Sequence, residues 1–230
     1  MKRFYNDVTV DETARGFRFL LDGKPVQTPA RQPLLLPTRA LAEAIAEEWR
    51  AQEEDMLPQA MPLTRMVNSV LDGVRITRPD VIAAILRFGE NDLLSYRAEA
   101  PVELVARQLE WNSWLGWVAD RYGARLAVTS GIRHVEQPAE TLTALRQAVS
   151  DLNDFHLAAL HVLASITGSL VLGLAVLDGR LAAAEAFALS RLDEAYQAER
   201  WGADREAEQR AGRLAAEMGH AAQLVRLSRA

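Results

Sequence analysis

An uncharged run at positions 157–177, LAALHVLASITGSLVLGLAVL, constrains the fold more than any other segment. At about 1.5 Å of rise per residue, one helix of this length could cross a bilayer. Its surroundings favour another location, because the upstream flank SDLNDFH is acidic and the only nearby downstream base is Arg180. The amphipathic segments on both sides also need an apolar partner for their buried faces. We therefore expect one buried central helix here and no stable membrane insertion.

The first 37 residues favour short β-strands. GFRFLLDGKPVQT, at 16–28, places alternating apolar residues on both sides of Asp22-Gly23, a dipeptide that suits a tight hairpin turn. Prolines at 25, 29, 33 and 37 then divide the chain into short pieces. Because proline cannot donate a hydrogen bond to a sheet, these pieces are typical of edge strands and corners.

From Thr38 the hydrophobic period becomes that of a helix, with Leu41, Ile45 and Trp49 on one face. Further helices are predicted at about 62–73, 77–88, 101–122, 138–149, 152–178 and 181–201, with Asp204 as the N-cap of a last one. Segment 124–132 resembles a strand. The predicted fold class is α+β. Residues 1–57 form a β-rich domain with the first helix, and residues 58–230 form a helical domain built around 157–177.

Composition and charge exclude several functional classes. The 230 residues carry a net charge of -5 without a basic stripe, which excludes sustained nucleic-acid binding. There is no cysteine, so the chain has neither disulfides nor thiolate metal sites. The N-terminus MKRFYNDVTVDE has no apolar core of a signal peptide and no Arg-rich, acid-poor transit sequence. We expect a bacterial protein of the cytoplasm, equivalent to the mitochondrial matrix in eukaryotes.

No motif indicates catalysis. The four histidines include no H-E-x-x-H pair, and His156 and His161 lie about 140° apart on a helix. TGSL at 167–170 lacks the lysine and the glycine spacing of a nucleotide-binding loop, and no G-x-S-x-G elbow occurs. We therefore expect no metal, no cofactor and no enzymatic activity.

Two segments allow a structural or a functional interpretation. Trp111, Trp114 and Trp117 span about 120° of one helix, which suits either a core stripe or a surface that binds a partner. In RLDEAYQAERWGAD, at 191–204, Leu192, Ala195 and Tyr196 suggest a buried face on which Glu199 also lies. Glu199 either pairs with an internal arginine or is exposed to an arginine of a partner.

Several segments together resemble one family. They are RFYNDVTV, LDGKPVQTPA, LPTRALAEAIAEEWRAQ, MPLTRMVNSVLD, NDLLSYRAE, RQLEWN, LAALHVLASITGSLVLGLAVLDGRL and LDEAYQAERWG. In this order they are similar to the assembly chaperones of F-type ATP synthase that attend the alpha subunit, in mitochondria and alphaproteobacteria. The resemblance runs from Arg3 to about Leu227 and implies a small N-terminal β domain followed by a larger helical domain.

The resemblance also implies a function. Such a chaperone binds the unassembled alpha subunit and masks its interface until the beta subunit displaces it. The family pattern LDE…Q.E.WG is matched at Asp193, Glu194, Glu199 and Trp201, which we expect to contribute to partner binding. We expect the free protein to be a monomer. The alternative is an enzyme or ligand-binding protein with a cleft between the β and helical domains.

Overall fold

A computed structural model describes residues 2–131, 133–202 and 204–229 and divides the chain into two compact units. Unit 1 comprises Met1–Arg78, Asp154–Ala158 and Gln223–Ala230. Unit 2 comprises Pro79–Asn153 and Ala159–Ala222. The predicted boundary after residue 57 therefore lies inside unit 1.

Short strands at the start of the chain are followed by helices, so the predicted α+β class is confirmed. The strands are β1 (Val8–Thr13), β2 (Gly16–Leu21), β3 (Lys24–Pro25), β4 (Tyr96–Arg97) and β5 (Thr129–Ser130). The helices are α1 (Arg39–Arg50), α2 (Pro62–Ser69), α3 (Arg78–Glu90), α4 (Val102–Gln108), α5 (Trp111–Tyr122), α6 (Ala139–Ser150), α7 (Asp154–Thr167), α8 (Leu170–Leu177), α9 (Ala183–Ser190), α10 (Leu192–Trp201) and α11 (Arg205–Ser228).

Unit 1 contains a three-stranded sheet with the strand order β1-β2-β3, in which neighbouring strands are antiparallel. The predicted turn at Asp22-Gly23 joins β2 to β3, with φ angles of 48° and 77° that suit a tight hairpin turn. The helix α1 covers this sheet, where the ring centroids of Trp49 and Phe19 are 5.5 Å apart.

Within unit 1, α2 is anchored to α1. The carboxylate of Glu48 accepts hydrogen bonds from the amides of Leu63 (2.7 Å) and Thr64 (2.8 Å) at the N-terminus of α2. A carboxylate stabilises a helix N-terminus because the first amides of a helix lack partners within the helix.

The uncharged run is buried along most of its length, but the prediction of one continuous helix is wrong. Gly168 adopts a φ of 65°, which ends α7, and the Ser169 side chain caps α8 by accepting a hydrogen bond from the amide of Leu172. His161 and Ser165 form an exposed stripe on α7, whereas every residue of α8 is buried. Among the described residues no helix is long and apolar enough to span a membrane.

The predicted helices at 101–122 and 181–201 are also each divided in two, as α4 with α5 and α9 with α10. At the first break, the guanidinium of Arg97 donates to the carbonyl of Gln108. At the second, the indole N–H of Trp111 donates to the carbonyl of Leu189 (3.0 Å). Each donor satisfies a carbonyl that a continuous helix would have used internally.

The three tryptophans of α5 do not share one environment. Trp111 is buried, whereas Trp114 and Trp117 are half-buried and make an edge-to-face contact with centroids 6.3 Å apart. The core interpretation is therefore correct for Trp111. Of the strand predicted at 124–132, residue 132 lies outside the described residues, and 124–131 contain only the short strand β5, which pairs in parallel with β4.

A buried carboxylate helps to hold α8 in place. Asp92 is inaccessible to solvent, and its Oδ2 accepts a hydrogen bond from the amide of Val171 (3.0 Å) while Oδ1 accepts from that of Leu94 (3.0 Å). Burial raises the pKa of Asp92 from 3.8 to about 6, and the amide hydrogen bonds oppose this rise.

The raised pKa of Asp92 predicts the pH dependence of stability. Between about pH 4 and pH 6 the folded chain binds the Asp92 proton more tightly than the unfolded chain, so this group stabilises the fold less as pH rises. The free energy of unfolding of wild type, relative to that of Asp92→Asn, should therefore decrease by about 2 kcal/mol from about pH 4 to pH 7. Chemical denaturation at both pH values measures this difference. If the free energy of unfolding of wild type relative to the variant instead increased with pH, the helix amides would hold the pKa of Asp92 below 3.8.

Candidate functional site

The four residues predicted to bind a partner all lie on α10, which packs against α4 in unit 2. Near the end of α10, Arg200 pairs with Glu103 in the first turn of α4 (3.6 Å). Near its beginning, Asp193 bonds to Gln108 at the end of α4. The two helices therefore run in opposite directions, and polar side chains join them at both ends.

Glu199 has the internal partner of one interpretation that the sequence left open and the exposure of the other. Its carboxylate forms two hydrogen bonds with the Arg107 guanidinium, at 2.8 Å and 2.6 Å. Both side chains nevertheless remain partly exposed. The hydrogen bonds from Arg107 lower the pKa of Glu199, so the carboxylate is charged at neutral pH. Glu199 is thus paired within the chain and still accessible to a partner.

Tyr196 forms the buried side of α10. Its ring is covered by two guanidinium groups, with the Cζ of Arg200 at 4.8 Å from the centroid and that of Arg107 at 5.3 Å. Such cation–π contacts hold the two arginines over the ring. Ala195, which the sequence assigned to the same buried face, is instead exposed.

Asp193 anchors α10. Its Oδ1 accepts a hydrogen bond of 2.7 Å from the side-chain amide of Gln108, and this glutamine side chain is buried. The Oε1 atom of Gln108 in turn accepts from the backbone amide of Ala98 (2.8 Å). Gln108 therefore links α10 to the segment that follows β4.

Glu194 and Trp201 face solvent. Glu194 is exposed and lies 3.6 Å from Arg191, the residue that precedes α10. Trp201, the last residue of α10, is 77% exposed. A tryptophan left so open is unusual, because this side chain usually buries most of its large apolar area.

The residues of α4 that complete this site were not predicted from the sequence. Arg107 and Gln108 belong to RQLEWN, one of the segments that carried the family resemblance. That motif was the available signal, but its contacts with Glu199 and Asp193 span 92 and 85 positions. No local pattern shows such pairs.

The four histidines were the other candidates for metal-binding chemistry. His134 and His161 are exposed, whereas His156 and His220 are half-buried. Within residues 2–131, 133–202 and 204–229, no group of three or more histidine, aspartate or glutamate side chains is placed to hold a metal ion.

Comparison with known proteins identifies the class as chaperones. Residues 2–119, 118 of the 230, match the family model described as "ATP12 chaperone protein". The chain belongs to the ATP12 chaperone family, the assembly chaperones of ATP synthase. This is a family of non-enzymatic assembly factors.

Solved structures and a curated relative agree with this family. The crystal structure of Atp12 from Paracoccus denitrificans is 46% identical, with a TM-score of 0.97 over 99% of this chain and 98% of that one. A point mutant of the same Paracoccus protein gives 45% identity and a TM-score of 0.96 over the same shares of the two chains. Protein atp12 of Schizosaccharomyces pombe, a mitochondrial protein, is 29% identical over 79% of this chain and 67% of its own length.

The anchoring role of Gln108 gives a prediction. Gln108→Leu should lower the free energy of unfolding by about 1–3 kcal/mol, because the substitution removes the hydrogen-bond partners of the Ala98 amide and the Asp193 carboxylate at a partly buried site. Gln147→Leu is the matched control, since the Gln147 amide also donates to an aspartate at 2.7 Å but is exposed. We expect the control to change stability by less than about 0.5 kcal/mol. Equal effects in denaturant titrations would contradict the anchoring role.

Proposed function

We propose that this chaperone binds the unassembled alpha subunit of F-type ATP synthase through α10 and masks its interface until the beta subunit displaces it. The observation that carries the proposal is that the last turn of α10 exposes both a carboxylate, Glu199, and a tryptophan, Trp201. Tryptophan is enriched among the residues that dominate binding energy, and a nearby acid can orient an arginine of the partner.

The physical task explains this kind of surface. A subunit of an obligate complex exposes apolar area before assembly, and such area aggregates unless it is covered. A chaperone must cover it reversibly, so its own contacts cannot be those of a permanent interface. An exposed ion pair suits exchange, because pairs of this kind contribute little to stability and can be replaced by contacts with a partner.

Further parts of the proposal follow from the family resemblance and from composition. The protein acts in the bacterial cytoplasm, as a monomer when free, and requires neither a cofactor nor nucleic acid. The net charge of -5 and the absence of a basic stripe in the sequence support the last point.

Reversing the charge of Glu199 tests the proposal. Glu199→Lys should weaken capture of the co-expressed, untagged alpha subunit by about tenfold or more, because it places a cation where an arginine of the partner would bind. Its melting temperature should stay close to that of wild type, since the Arg107 pair is exposed. Glu12→Lys is the matched control, because Glu12 also forms an exposed pair, with Arg39 at 3.1 Å.

A charge swap separates internal from external pairing. The double variant Arg107→Glu, Glu199→Arg rebuilds the ion pair in reverse, so capture should stay weak if an arginine of the alpha subunit contacts Glu199. Restored capture would show that the pair acts only within the chain. Normal capture by Glu199→Lys would remove Glu199 from the site, and wild type that recovers no alpha subunit would contradict the proposed function itself.

A further inference from the structure

The short helix α4 carries an exposed apolar stripe. Val102 is 80% exposed and Leu109, the residue that follows α4, is 59% exposed. Ala106 between them is exposed and Val105 is half-buried. These positions recur at i, i+3, i+4 and i+7, so they share one face, about 100° wide and two turns long.

The other faces of α4 already have partners. Leu104 and Gln108 are buried in unit 2. Glu103 and Arg107 point toward α10, where they pair with Arg200 and Glu199. Helices in globular proteins usually expose polar residues on the face that neither the core nor a neighbour covers, and α4 exposes apolar residues there.

Trp201 lies at one end of the pair formed by α4 and α10. It follows Arg200, which pairs with Glu103, and Glu103 follows Val102. The exposed indole and the N-terminal end of the stripe therefore lie at the same end of the helix pair. The ion pair of Arg107 with Glu199 borders the surface at its centre.

We propose that Val102, Val105, Ala106 and Leu109 form, with Trp201, a docking surface for an apolar helix face of the unassembled alpha subunit. This inference rests on the proposed function and extends its site from α10 to α4. The spacing of the stripe fits the recognition of an amphipathic helix, whose side chains at i, i+3, i+4 and i+7 meet a complementary ridge. Arg107, which follows Ala106 of the stripe, pairs with Glu199 of the proposed site, and this shared border is why the alpha subunit is the occupant we assign.

A paired substitution tests the stripe without disturbing the helix. Val102→Asp places an acid in the first turn of α4 and Leu109→Lys places a base at its end. Each new charge therefore interacts favourably with the helix dipole, and the net charge is unchanged. The matched control is Ile76→Asp with Val128→Lys, which changes two exposed apolar residues outside the stripe in the same way.

We expect the stripe variant to melt like wild type and to capture the alpha subunit at least about tenfold less well, while the control captures it normally. A photoreactive p-benzoylphenylalanine at position 106 should crosslink to the alpha subunit, and the same group at exposed position 213 should not. The crosslink reports proximity even if the double variant proves unstable.

The outcomes are distinct. If wild type captures the alpha subunit and the stripe variant captures it equally well, or if position 106 gives no crosslink, the stripe proposal is overturned while the proposed function stands. If wild type forms a dimer that the stripe variant cannot form, the occupant is a second copy of the chain, and the proposal is also overturned. Failure of wild type to capture the alpha subunit overturns both.

Discussion

The fully buried helix α8 imposes the constraint on which unit 2 depends, because its first amides have no access to water. Asp92 and Ser169 supply their acceptors. Asp92 also begins the segment that ends in β4, where Arg97 binds the carbonyl of Gln108 and stacks over Trp111. Gln108 then holds Asp193 on α10. A connected set of polar contacts thus leads from the buried helix to the helix proposed to bind the partner.

The two sides of α10 perform different tasks. Asp193 and Tyr196 attach the helix to α4, whereas Glu199, although paired with Arg107 of α4, and Trp201 remain accessible to solvent. This arrangement suits reversible binding, since the partly buried anchoring contacts hold α10 and leave its accessible groups free to contact solvent or a partner. A firmly held helix also lowers the entropy lost when the partner binds. Membership of the ATP12 chaperone family agrees with a site built for binding rather than for chemistry.

Local sequence patterns were sufficient where neighbouring residues decide the structure. The hairpin turn at Asp22-Gly23 and the N-cap at Asp204 were predicted, and the structure has both, the latter with a 2.9 Å bond to the amide of Glu206. The break at Gly168 also had a local signal, the glycine and serine of TGSL, which we considered only as a loop motif. The other two helix breaks had none, because distant donors, Arg97 and Trp111, satisfy the freed carbonyls. The partners of Glu199 and Asp193 were hidden for the same reason.

Hydrogen exchange with and without the alpha subunit tests the central claim most directly, because it reports which backbone amides the partner covers. We predict slower exchange at 102–109 and 194–201 in the complex. Exchange in Leu170–Leu177 should be unchanged, since α8 is buried in the free protein. A complex in which protection is confined to unit 1, with α4 and α10 exchanging as in the free protein, would contradict the account.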